Sequence, residues 1–398
     1  MSNNLTIDHV LTRGVAEILP ARESLKSLME QRKIKLYLGI DPSGNELTLG
    51  HAVVLRKLQQ FAELGHQVIL LIGGGTVKIG DPTGKDSTRP ELTDEQIQEN
   101  FKNWQAQASK VLNFDLIEIR NNADWLDELS YSEMIKLMAK VTVQQLLERD
   151  MFQERIKAGK PIHGHEIIYP LIQGYDSVVM DVDLEVGGTD QTFNMMMGRT
   201  LQKMERNKEK WVLTTPIING TDGRKMSKSY HNYIALTENP IDMYGKLMSM
   251  ADDMIIDYFN VLTDLPTAEI EEMAAAMEAG ANPMEFKKKL AFTITEMFHD
   301  SASAMQAADH FEQTIQGDEL PAEMPVIQVG SAPQQLGELL SLCLPEESRS
   351  QLRRWVEQGA VELIPSGEKP TDFGQEIDLQ STEVIRVGKR RYFQLNHD

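Results

Sequence analysis

A parallel-sheet α/β fold, continued by a helical module and a small α+β module, is predicted by three features of this 398-residue chain. The first is a strand, turn, helix and strand in succession between residues 34 and 75. The second is a nearly all-helical stretch, rich in Met, Ala and Glu, from about 240 to 315. The third is a closing segment of about 65 residues in which a helix runs into strands. At this length two or three separate cores can be buried.

The elements follow in order. Residues 34–40, "IKLYLGI", alternate and stop at a turn, as a strand does, while Val54, Leu58 and Phe61 recur at helical spacing up to Gly65. "QVILLIGGG" is a continuous apolar run that ends in glycines, the pattern of a parallel strand buried on both faces. Ligands of such sheets bind beyond the carboxyl ends of the strands, so the turns at 41–51 and 73–89 are the places to look for chemistry. Helical patterning covers 91–111 and 128–160, and "DVDLEVGGTDQ", 181–191, returns to strand and turn. After the helical stretch, the looser "GDELPAEMPVIQVGSAPQQ" leads to a last module. There "ESRSQLRRWVEQGAVEL" reads as a helix turned into a strand at Gly359, and "VIRVGKRRYFQLN" as a strand pair. The expected division is an α/β domain at 1–235 with a helical insertion at about 120–180, a helical domain at 236–320 and a small α+β domain at 331–398.

Composition narrows the class. With 41% hydrophobic and 25% charged residues, no basic leader and no apolar run near the roughly 20 residues of a membrane span, a cytoplasmic protein without a membrane partner is expected. One cysteine, Cys343 in "LLSLCLP", excludes internal disulfides and cysteine-based zinc clusters and reads as a small buried side chain. A net charge of −20 argues against indiscriminate nucleic-acid binding and against DNA, but leaves room for a local basic face toward RNA.

Two stretches carry chemistry. Gly50 and His51 stand at the head of a helix, where unpaired N–H groups and the dipole attract phosphate. "GTDGRKMSKSYHN", 220–232, is a glycine-flanked surface loop whose Lys225 and Lys228 are compact cations suited to phosphate charge that shifts during a reaction. Two decoys fall away. In "GDPTGKDS" Gly80 and Gly84 enclose three residues and Asp86 follows Lys85, which is not the spacing of a kinase-type phosphate loop. "IHGHE" lacks the spacing that puts two metal ligands on one helical face, so no metal site is expected there.

Together, "TLGH" at 48–51 and "KMSKS" at 225–229 resemble the signature pair of the class I aminoacyl-tRNA synthetases. The second motif is complete; in the first, Leu49 is a conservative change and Thr48 stands where the usual motif has a histidine. "YLGIDPS", "IGDPTGKDSTR", "YPLIQGYD" and "GGTDQ" extend the resemblance to the bacterial tyrosyl branch, over nearly the whole chain. The resemblance implies a Rossmann-like catalytic domain, ATP with Mg²⁺ as co-substrate and no tightly bound cofactor, L-tyrosine and tRNA(Tyr) as partners, and a homodimer joined through the helical insertion. His51, Thr48, Lys225, Lys228, Lys85 and Arg89 would act on the phosphates; Gly39, Asp41, Ser43, Gly50, Gly188 and Asp190 would hold the nucleotide. Asp81, Tyr169, Gln173 and Gln191 would gather around the ammonium and backbone of tyrosine, and Tyr37 with Asp176 would meet its hydroxyl. "RRWVEQGAVEL" and "VGKRRYFQL" resemble the αL-type RNA-binding module, with Arg349, Arg353 and Arg354 on one helix and Lys389 to Arg391 beside Tyr392 and Phe393, basic side chains with interleaved aromatics that fit an RNA backbone and exposed bases. The readings to be separated from this one are the tryptophan enzyme of the same class, an RNA-binding protein that keeps the fold without the activity, and a small-molecule adenylyltransferase with a Gly-His helix start.

Overall fold

The computed structural model describes residues 5–44, 46–82, 92–313, 324–330, 334–379, 382–388 and 391–397. Two compact units are present, residues 1–304 and 305–398, the division falling inside the helix Ser301–Phe311.

The first unit is built on a six-stranded sheet. Its strands are β1 (Glu17–Leu19), β2 (Lys35–Ile40), β3 (Gln67–Ile72), β4 (Ile117–Asn121), β5 (Leu184–Gly188) and β6 (Trp211–Thr215), in the order β1-β6-β5-β2-β3-β4. All neighbours run parallel except the edge strand β1, which pairs antiparallel with β6. Five of the six residues of β3 are buried, as its unbroken apolar run requires. The chain winds outward from β2 to β3 and β4 on one side, then returns to β5 and β6 on the other. The order therefore reverses between β2 and β5, and the crevice of an open sheet lies at that reversal, outside the carboxyl ends of the strands. Asp41 follows β2 there, and Asp190 follows β5. Strands β1, β4 and β6 were not among the sequence expectations; each is five residues or fewer and too short for a clear alternation.

The helix Leu49–Glu63 connects β2 to β3 and buries Leu49, Ala52, Leu55, Leu58 and Phe61 against the sheet. Thr48 is its extended N-cap. Between β4 and β5 lie five helices, Ala123–Leu126, Tyr131–Met138, Val143–Leu147, Asp150–Lys157 and Gly164–Met180. What reads as one helical pattern at 128–160 is divided into short pieces by capping boxes at Ser130 and Thr142, each supplying the oxygen and the Glu or Gln three residues on. "IHGHE" is absorbed in the same way: His163 is the N-cap of Gly164–Met180, and Glu166 accepts its backbone N–H at 2.8 Å while bonding Arg155 at 2.7 Å. Helices Pro240–Met248, Ile255–Leu262, Thr267–Glu278 and Pro283–Phe298 follow. Arg13 ties the amino-terminal segment to them by donating to the carbonyls of Phe259, Asn260 and Thr263 at the end of the second.

The second unit contains β7 (Val326–Val329), β8 (Gln334–Gln335), β9 (Val361–Ile364), β10 (Glu376–Ile377), β11 (Val384–Val387) and β12 (Arg391–His397). Four of them form a sheet in the order β7-β12-β11-β9, and β8 pairs with β10. Gly359, at φ +66°, turns the helix Arg349–Glu357 into β9, a left-handed position that suits glycine. Leu352, Val356, Leu363, Ile385, Phe393 and Leu395 form its core together with Cys343, whose thiol burial pushes up to about 12. One expectation is corrected here. Tyr392 and Phe393 are 8% and 7% exposed, so they do not stand free to stack on bases. Neighbouring strand residues point to opposite faces, and both faces are covered: Phe393 lies in the core, and the Arg386 guanidinium lies 5.6 Å from the Tyr392 ring.

Candidate active site

A cavity of about 520 Å³ opens at the carboxyl ends of β2, β3 and β5, where the strand order reverses. Its walls include Tyr37, Gly39, Asp41, Ser43, Thr48, His51, Asp81, Tyr169, Gln173, Asp176, Gly188, Gln191 and Lys228, which gathers most of the residues singled out from the sequence. Gly50, Asp190 and Lys225 lie outside these walls. Lys85 and Arg89 lie outside the described residues.

At one end stands the helix head. The Thr48 backbone N–H donates to His51 Nδ1 at 3.1 Å, and the Thr48 hydroxyl lies 2.9 Å from the same nitrogen. A backbone N–H can only donate, so Nδ1 is the acceptor and the ring proton sits on Nε2. Burial, with a smaller push from Lys228, lowers the His51 pKa to about 4, so at neutral pH the ring is an uncharged donor. Trp104 packs edge-on against it at 5.8 Å. Gly50 is not demanded by packing: a Cβ there would meet nothing nearer than Thr48 Oγ1 at 3.5 Å. The bare backbone leaves that face of the helix head open.

The lysine segment is irregular, pinned by a bridge between Asn219 and Lys225 and by Asn232, whose amide reaches Asp222 at 2.7 Å and the Lys225 carbonyl at 3.1 Å. Lys228 reaches into the cavity wall, and burial lowers its pKa. Lys225 instead pairs with Asp190 at 3.1 Å, both partly exposed, so a residue expected at the phosphates and one expected at the nucleotide neutralise each other.

At the inner end the polar groups form chains. Asp41 accepts from Tyr169 at 2.8 Å and from Thr76 at 2.7 Å, turning its carboxylate toward the residues assigned to tyrosine. Gly73 makes this seat: a Cβ there would lie 1.9 Å from Asp41 Oδ1. Gln191 donates to Asp81 at 2.8 Å, and Arg149 stands 3.6 Å from the other Asp81 oxygen. Gln173 donates to Glu185 at 3.1 Å. Tyr37, fully buried, lies 2.9 Å from Ser177 Oγ, and its pKa is raised well above the ordinary value, chiefly by burial. Asp176 accepts from Trp125 at 2.9 Å and Asn122 at 3.0 Å. Burial nevertheless outweighs these donors and pushes its pKa up to about 8. Ser177, Glu185, Lys210, Asn122, Trp125 and Thr76 carry this framework and were not singled out from the sequence.

A parallel sheet that delivers a Gly-His helix head and a lysine loop to one cavity at its strand reversal is the arrangement of a class I aminoacyl-tRNA synthetase. The family model described as "tRNA synthetases class I (W and Y)" matches residues 29–316. A tyrosine–tRNA ligase of Thermotoga maritima is 44% identical over 389 residues, 97% of this chain and 96% of its own length. The chain belongs to the tyrosine–tRNA ligases of this family. Among solved structures, a truncated Aspergillus nidulans mitochondrial tyrosyl-tRNA synthetase matches with a TM-score of 0.65 at 21% identity, over 78% of this chain and 94% of that one. Plasmodium falciparum tryptophanyl-tRNA synthetase gives 0.58 at 17%, over 78% and 89%. At such identities the likeness is one of fold, common to both amino-acid branches.

Proposed function

We propose that the chain activates L-tyrosine with ATP, releasing pyrophosphate, and passes the tyrosyl group from the adenylate to the 2′-hydroxyl of the terminal adenosine of tRNA(Tyr). The observation that carries the choice of amino acid is the pairing of a phenol, Tyr37, with a carboxyl, Asp176, in a cavity whose wall also holds His51 and Lys228. A phenolic hydroxyl both accepts and donates, whereas an indole only donates, so this pair matches tyrosine and leaves tryptophan unmatched. Phenylalanine would leave the pair without a partner; tyrosyl enzymes are the usual example of selection by that loss. Tyrosine-dependent exchange of pyrophosphate into ATP, with tryptophan as control, tests the reading. Exchange with tryptophan and none with tyrosine would overturn it.

In the adenylation step the tyrosine carboxylate attacks the α-phosphorus and the bond to pyrophosphate breaks. Little covalent work falls to the protein, so its residues act by placing the reactants and stabilising charge. The Nε2–H of His51 donates to an α-phosphate oxygen as charge grows there, and the open backbone at Gly50 lets the nucleotide lie against the helix head. Gly39, Ser43 and Gly188 line the nucleotide's path, and Asp190 takes the ribose hydroxyls once Lys225 leaves it. Lys225 and Lys228 follow the departing pyrophosphate, with Lys85 and Arg89 adding positive charge. Asp81, Tyr169, Gln173 and Gln191 hold the ammonium, with Asp41 fixing Tyr169. Mg²⁺ arrives with ATP, held mainly by its phosphates.

The second unit reads as an RNA-contacting module, through Arg349, Arg353 and Arg354 on its exposed helix face rather than through stacked aromatics. Since β7 belongs to its sheet, a clean truncation removes residues 324–398 rather than 331–398. Pyrophosphate exchange is expected to survive that truncation, while transfer to tRNA falls about tenfold or more, the worth of roughly 1.4 kcal/mol of lost contact. Normal transfer in the truncated protein would return the module to a purely structural role.

A homodimer is supported by an apolar stripe on the insertion. Tyr131, Ile135 and Met138 recur at i, i+4 and i+7 and are 83%, 47% and 41% exposed, with Val143 at 60% beside them in sequence. The double variant Tyr131→Glu, Ile135→Glu is expected to sediment as a monomer. A dimer that persists unchanged would place the interface elsewhere.

A further inference from the structure

Next to the cavity lies a buried cation that the reaction as read so far leaves without a part. Lys210, the residue before β6, is fully buried, and its three ammonium hydrogens meet three acceptors: the Glu185 carboxylate, Ser177 Oγ at 2.8 Å and the Met195 carbonyl at 3.1 Å. Lys210 is not part of the cavity wall, yet each of its side-chain partners touches a residue that is. Ser177 Oγ reaches the Tyr37 hydroxyl at 2.9 Å, and Glu185 accepts from Gln173 at 3.1 Å. Room for the cluster comes from Gly198 on the helix Thr192–Arg206, where a Cβ would lie 2.5 Å from the Lys210 nitrogen and 2.7 Å from Ser177 Oγ.

The hydrogens in this cluster can be counted. An ammonium has no lone pair, so in the Lys210–Ser177 bond the serine oxygen is the acceptor. Ser177 keeps one hydrogen, and the one other hydrogen-bond partner of its oxygen in the described structure is Tyr37. If Tyr37 donated to Ser177, the serine hydrogen would be buried with no acceptor, a costly arrangement. Ser177 therefore donates to Tyr37, and the hydrogen of Tyr37 goes to an acceptor other than Ser177. Two are in reach: Glu185, which hydrogen-bonds the same hydroxyl and also accepts from Lys210 and Gln173, and a ligand in the cavity, which competes for that hydrogen.

We propose that Lys210 and Ser177 are positioning residues for amino-acid selection: the relay from Lys210 through Ser177 makes Tyr37 a hydrogen donor toward the phenolic oxygen of the substrate, while Asp176, ionised when the phenol is bound, accepts the phenolic hydrogen. The proposal rests on the reading of this cavity as a tyrosine pocket. Selection then acts on hydrogen-bond direction as well as size. A para-amino group, close to a hydroxyl in volume, offers two hydrogens and a poor lone pair, so a floor of one donor and one acceptor does not suit it. Without the Ser177 hydroxyl, the Tyr37 hydrogen stays with Glu185 and the lone pair that Ser177 filled is shown to the cavity. The floor becomes two acceptors, which suits an arylamine and not a phenol.

Ser177→Ala in the full chain tests this, with tyrosine and 4-aminophenylalanine as paired substrates in pyrophosphate exchange. The expected result is a rise of about tenfold in KM for tyrosine with kcat and the KM for ATP little changed, the scale of one lost buried hydrogen bond. The KM for 4-aminophenylalanine is expected to fall at the same time. Ser177→Cys, of similar volume but with a thiol that donates weakly, is expected to shift the preference the same way and less far, and it supplies the answer if the alanine variant does not fold by thermal melting. Equal losses for both amino acids, a parallel rise in the KM for ATP, or an unchanged preference in the folded variants would overturn the relay. Failure of the tyrosine reading itself is distinguishable, because it shows as absent tyrosine exchange in the unmodified protein.

Discussion

Replacing His51 by alanine is expected to slow tyrosine-dependent pyrophosphate exchange about 10²–10³-fold, the usual cost of removing one donor aimed at charge that develops in a transition state. Tyrosine binding, followed by equilibrium dialysis, is expected to stay within about twofold, since the ring stands at the other end of the cavity from Tyr37 and Asp176. The effect follows from geometry: a neutral ring whose single proton is on Nε2, held by the helix cap through Nδ1. With its pKa near 4, His51 does not titrate across the working range of the enzyme. The rate is therefore expected to show no inflection from this residue between about pH 6 and 8, where an ordinary histidine would give one. Full exchange activity in His51→Ala would remove the residue from the mechanism.

Asp176→Asn is expected to lower the preference for tyrosine over phenylalanine by about tenfold or more, the equivalent of roughly 1–3 kcal/mol for a buried acceptor lost. Both carboxyl oxygens already accept N–H bonds, from Trp125 and Asn122, so the new amide must turn a donor toward one of them and disturb the floor further. The measurement is the ratio of kcat/KM values in exchange; an unchanged ratio would show that Asp176 does not read the hydroxyl. The same variant carries a pH signature. Because burial raises the folded-state pKa to about 8, the native protein holds this proton where the unfolded chain has released it. Stability of the ligand-free protein is thus favoured at low pH and declines from about pH 4, the unfolded carboxyl's range, up to about pH 8. Asp176→Asn is expected to flatten that decline in denaturation midpoints.

The parts of the fold that were legible in the sequence are those whose burial is written locally. "QVILLI" and the Val54, Leu58, Phe61 spacing each state their element without reference to anything distant. Strand β1, three residues on a sheet edge, exists because β6 pairs with it, and no window of its own could announce that. The site divides the same way. The residues expected to touch substrates lie in short contiguous motifs, at strand ends, in the lysine loop and on the helix Gly164–Met180, whereas those that orient them come together from far apart in the chain. Glu185 and Lys210 are 25 residues apart and look like ordinary charges in "DLEVGG" and "KEKW". A charge inside an otherwise apolar strand was the available signal for Glu185; for Lys210 there was none. Tyr392 and Phe393 misled for the opposite reason: a basic-aromatic run looks the same whether its rings are free or covered.

The bond between the Thr48 backbone and His51 has a consequence for which substitutions this protein can tolerate over evolutionary time. The group that sets the proton on the ring belongs to the peptide chain, and every residue except proline supplies it at position 48. The hydroxyl of Thr48 adds a second bond to the same nitrogen but does not choose the tautomer. A motif position usually filled by histidine can therefore drift to threonine while the reactive face of its neighbour is kept. Heritable variation there is buffered by the backbone, and the residue under constraint is the one three places on.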